Sequence, residues 1–293
     1  MPMPMPMDPM NNATGRHSVA RPVFLTLNGR RLFGLQIVPT GPCTGAMLYL
    51  PPFVEEMNRC RSHVVLQARA LAALGWHTLL LDPHGTGESE GQITDADWDH
   101  WLEDAAAAAR WLVDQTGQPL ALWGLRTGAL MAAELAAVLA AQSADEPPRL
   151  LLWQPVLDGK LFLTQYLRLR IASQLVRDGE RESTDGIRAR LSAGEAIEVA
   201  GYPLTGRLAD ALATRKMSDF SGVARCRIGW LEMVAKPDQP LAPASRRQAD
   251  AWLTAGARLS TSTVAGPMIW QLQVRDDAAE LQQASLRLMG EAT

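Results

Sequence analysis

Residues 120–128 read Leu-Ala-Leu-Trp-Gly-Leu-Arg-Thr-Gly, an apolar strand running into a Gly-x-x-x-Gly turn, and an Ala/Leu-rich helix follows over Ala129–Leu139. This is the strand-turn-helix context in which the serine of Gly-x-Ser-x-Gly acts as a nucleophile. Arg126 occupies the serine position. A guanidinium stays protonated in proteins and offers donors only, so Arg126 cannot attack a carbonyl. A triad on such an elbow also needs an acid and then a histidine further along the chain. Asp158 and Asp238 could supply the acid, but all five histidines (His17, His63, His77, His84 and His100) precede the elbow. After the strand Arg258–Val264, where a general base is expected, the chain reads Ala-Gly-Pro-Met-Ile-Trp270. Loss of the nucleophile alone costs about 10⁶ in kcat. With the base missing as well, ordinary esterase chemistry is not expected, which leaves a binding protein or an enzyme that works by another route.

The groups that remain are polar and charged. Arg126 sits at the start of a helix, where free N–H groups and the macrodipole already favour an anion, so a carboxylate, a phosphate or an internal Asp or Glu is its natural partner. Glu55 and Glu56 fall in the segment after the strand Ala46–Leu50, read as a loop facing the elbow. Pro51 and Pro52 lack N–H groups, so Phe53 is the first residue there able to donate. Candidate ligand contacts are therefore Phe53, Glu55, Glu56, Arg126 and Thr127. Candidate catalytic groups for an unconventional reaction are Glu55, Glu56, His84, Arg126 and Asp238. A cation in a capped cleft must be paired, and Glu55 or Glu56 is the expected partner, with Asp238 next.

Structural readings stand beside these. Arg126 could be a salt-bridged plug in a dead site. Glu55, Asn58 and Arg59 could cap a helix beginning near Cys60, with Asn58 as N-cap. Asp82–Ser89 reads as a structural turn, and Trp98, Trp101 and Trp111 as core. Cys60 reads as an inert buried thiol rather than a second nucleophile.

The rest of the 293 residues must position these groups. Hydrophobic residues make up 47% of the chain and charged ones 20%, which suits a sizeable core. The 28 basic and 31 acidic residues leave a net charge of −3 with no basic run, which excludes a nucleic-acid footprint. No apolar stretch is long enough to span a membrane. Three scattered cysteines argue against a disulfide framework or zinc site, so no metal and no cofactor is expected, and a reducing cytoplasm is the simplest location. The Met-Pro repeat at the start lacks signal-peptide features, and residues 1–21 are expected to be disordered. An Asn28-Gly29 hairpin joins strands Pro22–Leu27 and Arg31–Val38. Strands and helices then alternate: Ala46–Leu50, helix Cys60–Leu74, Thr78–Leu81, helix Trp98–Val113, Leu120–Trp123, helix Ala129–Ala141 and Arg149–Trp153. Such alternation predicts a doubly wound, mostly parallel sheet. Residues 159–222 show helical periodicity without strands and are expected to form a helical cap inserted in an α/β core of residues 22–158 and 223–293. A strand at Arg227–Val234, a helix at Ala244–Leu253, a strand at Arg258–Val264 and a helix at Asp276–Met289 complete that core.

The hairpin, the strand ending in Leu50-Pro-Pro-Phe53, the turn Asp82-Pro-His-Gly-Thr-Gly-Glu-Ser89 and the elbow Gly124-Leu-Arg-Thr-Gly128 together resemble the α/β-hydrolase fold over residues 22–290. More narrowly, Pro52-Phe-Val-Glu-Glu-Met-Asn-Arg59, Trp98-x-x-Trp101-Leu102 and Trp123-Gly-Leu-Arg126 resemble the second of two hydrolase-like families associated with exosortase A systems. That resemblance implies a bacterial locus for exopolysaccharide and surface-protein sorting. The expected role is to bind an anionic, acyl or glycosyl metabolite, or a pathway protein, with little esterase activity. The alternative is an unconventional hydrolase or acyl transferase acting on an ester or thioester.

Overall fold

Asn28 and Gly29 both take positive φ (50° and 79°), the tight turn that lets β1 (Ser18–Leu27) and β2 (Arg30–Pro39) pair antiparallel with Leu27 opposite Arg30. A computed structural model of the chain describes residues 17–142, 147–175, 182–272 and 278–290. The expected disordered segment lies mostly outside these residues, but β1 begins at Ser18, earlier than the expected Pro22. After the hairpin come β3 (Gly45–Leu50), α1 (Val54–Ala72), β4 (Trp76–Leu81), α2 (Trp98–Thr116), β5 (Leu120–Leu125), α3 (Thr127–Gln142) and β6 (Arg149–Trp153). Next are α4 (Gly159–Leu175), α5 (Thr184–Ser192), β7 (Ile197–Val199), β8 (Tyr202–Leu204) and α6 (Gly206–Ala213). The chain finishes with β9 (Arg227–Val234), α7 (Pro243–Thr254), β10 (Arg258–Ala265) and α8 (Ala279–Gly290).

Eight strands form one sheet in the order β1-β2-β4-β3-β5-β6-β9-β10. Only the β1–β2 and β2–β4 pairings are antiparallel; the others are parallel, as the run of short apolar strands predicts. Every residue of β3 is buried, because helices cover both faces of the sheet. Leu48, Leu50 and Leu122 share one cluster with Trp98 and Leu112 of α2 and Leu130 of α3. Met47, Tyr49 and Trp123 share the other with Val64 and Leu71 of α1 and Leu281 of α8. The alternation along β3 thus feeds two cores.

The sheet edge is fastened by a buried charge. Asp104 of α2 accepts hydrogen bonds from Asn28 Nδ2 (3.0 Å) and from Arg30 Nε and Nη2 (2.9 and 2.7 Å). This tie fixes the hairpin tip against the layer that carries Trp98 and Trp101.

Two expectations need correction. Helix α1 starts at Val54 rather than near Cys60, so Glu55 and Glu56 lie in its first turn instead of a loop, and Asn58 is within the helix rather than its N-cap. Phe53 takes the N-cap position without a side-chain hydrogen bond, its extended backbone fixed by packing of the ring. Two acidic residues in the first turn then complement the helix dipole. The inserted region is also not wholly helical. It contains the antiparallel pair β7–β8, in which Ile197 and Val199 are buried and Glu198 points out. Three residues of period-two pattern are too few to stand out between helical stretches.

Candidate ligand-binding site

The elbow is kept in shape by packing, not by chemistry. A Cβ on Gly128 would fall 2.1 Å from Leu50 O, and one on Gly124 would fall 2.3 Å from Gly128 O, so the turn closes against β3 only with glycine at both ends. Between them Arg126 takes φ +57°, a left-handed conformation that is costly for a side-chain-bearing residue. Hydrogen bonds hold it there. Its N–H donates to Trp153 O at 3.0 Å, and its carbonyl accepts from Ala129 and Val156 N–H at 3.1 Å each.

From this strained backbone the guanidinium reaches Glu56. Nε and Nη2 of Arg126 both donate to Glu56 Oε1 at 3.3 Å. The second carboxylate oxygen, Oε2, is buried without a hydrogen-bond partner. Burial pushes the Glu56 carboxyl up to about 7, against the lowering pull of Arg126. Arg126 also faces two aromatic rings, with Cζ 4.9 Å from the centroid of Trp270 and 5.7 Å from that of Phe162. Trp270 arrives from the loop after β10, where a histidine base is expected and where the sequence offers none.

These groups line a cleft of about 310 Å³ whose polar floor is Glu55, Glu56, Arg59 and Arg126. Phe162, Tyr166 and Leu169 of α4 supply its apolar walls together with Trp270. Arg59 Nη1 donates to Gln271 O at 3.0 Å and Arg59 stands 3.8 Å from Glu55, which ties the loop after β10 to α1. Asn58 donates to the hydroxyl of Tyr202 in β8 at 2.6 Å, so the hairpin of the cap rests on α1 as well.

Other candidate residues lie elsewhere. Phe53 and Thr127 are buried beside a separate gap of about 20 Å³ formed with Trp98 and Trp101, and do not line the Arg126 cleft. His84 packs its ring against Gly91, where an added Cβ would meet it at 2.4 Å, and lies off the cleft wall. Asp238 is exposed in the loop after β9 and makes no ion pair among the described residues, so it is not a partner of Arg126. Asp158 accepts from Leu161 N–H at 2.9 Å in the first turn of α4. Asp82 pairs with Arg61 at 2.9 Å and accepts from Glu88 N–H, while Ser89 donates to Asp82 O, which makes the turn structural. Burial pushes the Cys60 thiol up, so it carries no reactive thiolate. What sequence reasoning missed is the wall from the cap: Phe162 and Tyr166 are spaced four apart on α4, a signal visible only once α4 is known to cover the elbow.

Solved structures of similar architecture span nearly the whole molecule. Est1E from Butyrivibrio proteoclasticus, in a structure with ferulic acid bound, is 17% identical with a TM-score of 0.64, covering 91% of this chain and 97% of its own. A hypothetical protein from Pseudomonas aeruginosa is 16% identical with a TM-score of 0.61, covering 93% of this chain and 94% of its own. The chain has the α/β-hydrolase fold. An α/β serine hydrolase without lid from Xanthomonas campestris shares the fold at 15% identity and a TM-score of 0.54, covering 92% of this chain and 93% of its own. The family model for serine aminopeptidase S33 matches residues 50–187, from the end of β3 into α5. No curated protein sequence matches the chain. Within this α/β-hydrolase fold, the elbow presents an arginine and the last loop a tryptophan. Among the described residues no helix is long and apolar enough to cross a membrane.

Proposed function

We propose that this α/β-hydrolase-fold protein binds an anionic metabolite with an apolar acyl or aromatic body and performs no serine-type hydrolysis. The observation that carries this reading is that the elbow holds Arg126 and the loop after β10 holds Trp270, a cation and a ring in contact at the wall of one cleft. The guanidinium offers a planar fork suited to a carboxylate or phosphate, and the rings of Phe162 and Trp270 suit a flat or aliphatic body. Ferulic acid on Est1E, an aromatic acid on the same fold, is compatible with this ligand class. The setting implied by the family resemblance is a cytoplasmic step in a bacterial exopolysaccharide or exosortase locus, with an acyl or glycosyl metabolite as ligand. A comparative metabolite pull-down tests the reading: anionic species retained by the wild type and lost from Arg126→Ala support it, and equal retention by both overturns it.

One observation favours a second reading, an unconventional hydrolase or acyl transferase acting on an ester or thioester. Glu56, with its carboxyl near 7, is matched to general-base work at neutral pH. Turnover of such a substrate that Glu56→Gln abolishes would establish it.

A further inference from the structure

Two features of the Arg126–Glu56 contact set what can bind. First, Glu56 meets the guanidinium through one edge only, Nε and Nη2, so the other edge, Nη1 with the second Nη2 hydrogen, has no hydrogen-bond partner among the described residues and can take a ligand. Second, the carboxylate is one-sided: Oε1 takes both hydrogen bonds and Oε2 is buried with none. A buried acceptor without a donor penalises the ionised form much more than the neutral acid.

Among the described residues the charges around Glu56 are few. Glu55 and Arg59 come from its own helix, Arg126 from the elbow, Tyr166 from α4 and Tyr49 from β3; Trp270 and Gln271 of the last loop are neutral. Burial pushes Tyr49, Tyr166 and Cys60 up, so they stay protonated. Among the described residues, with Glu56 ionised, the floor therefore holds two arginines against two glutamates and balances at zero. Adding one anion unbalances it, and Glu56 is the group placed to restore the balance by taking a proton.

We infer that the cleft takes a monoanionic carboxylate together with one proton, the ligand's carboxylate docking on the Nη1 edge of the Arg126 fork as Glu56 becomes neutral. The proton comes from solvent and ends on Glu56; no covalent bond forms or breaks. A dianion would leave the site with an extra negative charge, so the ligand class narrows from anions at large to monocarboxylates with apolar bodies. Leu169, 46% exposed where α4 meets the cleft, gives such a body an apolar way out.

This rests on the ligand-binding reading above, and calorimetry on the full chain separates the two. Octanoate and 3-phenylpropanoate are titrated at pH 8 in buffers of different ionisation enthalpy, with 2-hexylmalonate as the dianion. About one proton should be taken up per monocarboxylate bound, and affinity should fall about tenfold per pH unit above about 7. The dianion should bind at least about tenfold more weakly. Glu56→Gln should bind octanoate without proton uptake and with a flat pH profile. Binding by the wild type with no proton uptake, or an unchanged pH slope in Glu56→Gln, overturns the proton-coupled mechanism alone. No binding of either monocarboxylate between pH 5.5 and 8.5 overturns the ligand reading itself.

Discussion

Trp270 faces Arg126 at 4.9 Å, ring to guanidinium, in an α/β-hydrolase fold that elsewhere brings a histidine to a serine. An aromatic face attracts a cation and cannot remove a proton. The protein should therefore resist fluorophosphonate labelling and give no stoichiometric burst with activated esters. Arg126→Ser should stay inactive, since the loop after β10 brings Trp270, not a histidine base, to the elbow. Mass spectrometry locating a fluorophosphonate adduct near the elbow would refute this.

Trp270 is also a structural wall, 4% exposed in the same core as Leu231 and Met233. Trp270→Ala should lower unfolding free energy by about 3 kcal/mol, the usual cost of truncating a buried large aromatic. Trp270→Phe keeps a ring over Arg126 and should lose less than half of that. Urea titrations of the two variants check the ordering.

Glu56 gives stability a pH dependence of definite sign. Its carboxyl sits at about 7 in the folded protein against an ordinary value of 4.5, so the stabilisation linked to its proton is complete below about 4.5 and is lost as pH rises to about 7. Glu56→Gln, permanently neutral, should match the wild type near pH 4.5 and exceed it above pH 7 by no more than about 3 kcal/mol. Melting curves across that range check it, and a wild type that gains on the variant as pH rises would contradict the assignment.

Gly128→Ala tests the elbow itself. The new Cβ would lie 2.1 Å from Leu50 O, which is backbone of a buried strand and cannot swing away. A loss of more than about 2 kcal/mol is expected, as for overpacking that forces backbone shifts. An unperturbed melting temperature would show that α3 can slide along the sheet.

The eight-stranded core was readable because its central strands β3, β4, β5, β6 and β9 are short apolar runs and the edge hairpin carries Asn28-Gly29, and the arginine at the elbow was readable because its position follows from the Gly-x-x-x-Gly turn. Which glutamate meets Arg126 was not. That choice depends on where α1 starts, and its start is set by Phe53 packing against Phe162 and Tyr166, residues more than a hundred positions away. The same distance hid the aromatic wall of the cleft. The pair β7–β8 escaped because three-residue strands carry almost no periodicity.

Phe53 touches Trp101 on one side and Phe162 and Tyr166 on the other, with ring centroids 6.4, 5.9 and 5.2 Å away and every pair edge to face. The wedge joins α2 to α4, so the wall that α4 gives the cleft is pinned at this point. With that wall pinned, crossing rates should depend on the width and polarity of the guest rather than on a swing of α4. Two guests of equal affinity but different girth should differ in residence time, a kinetic sieve that equilibrium titration cannot reveal.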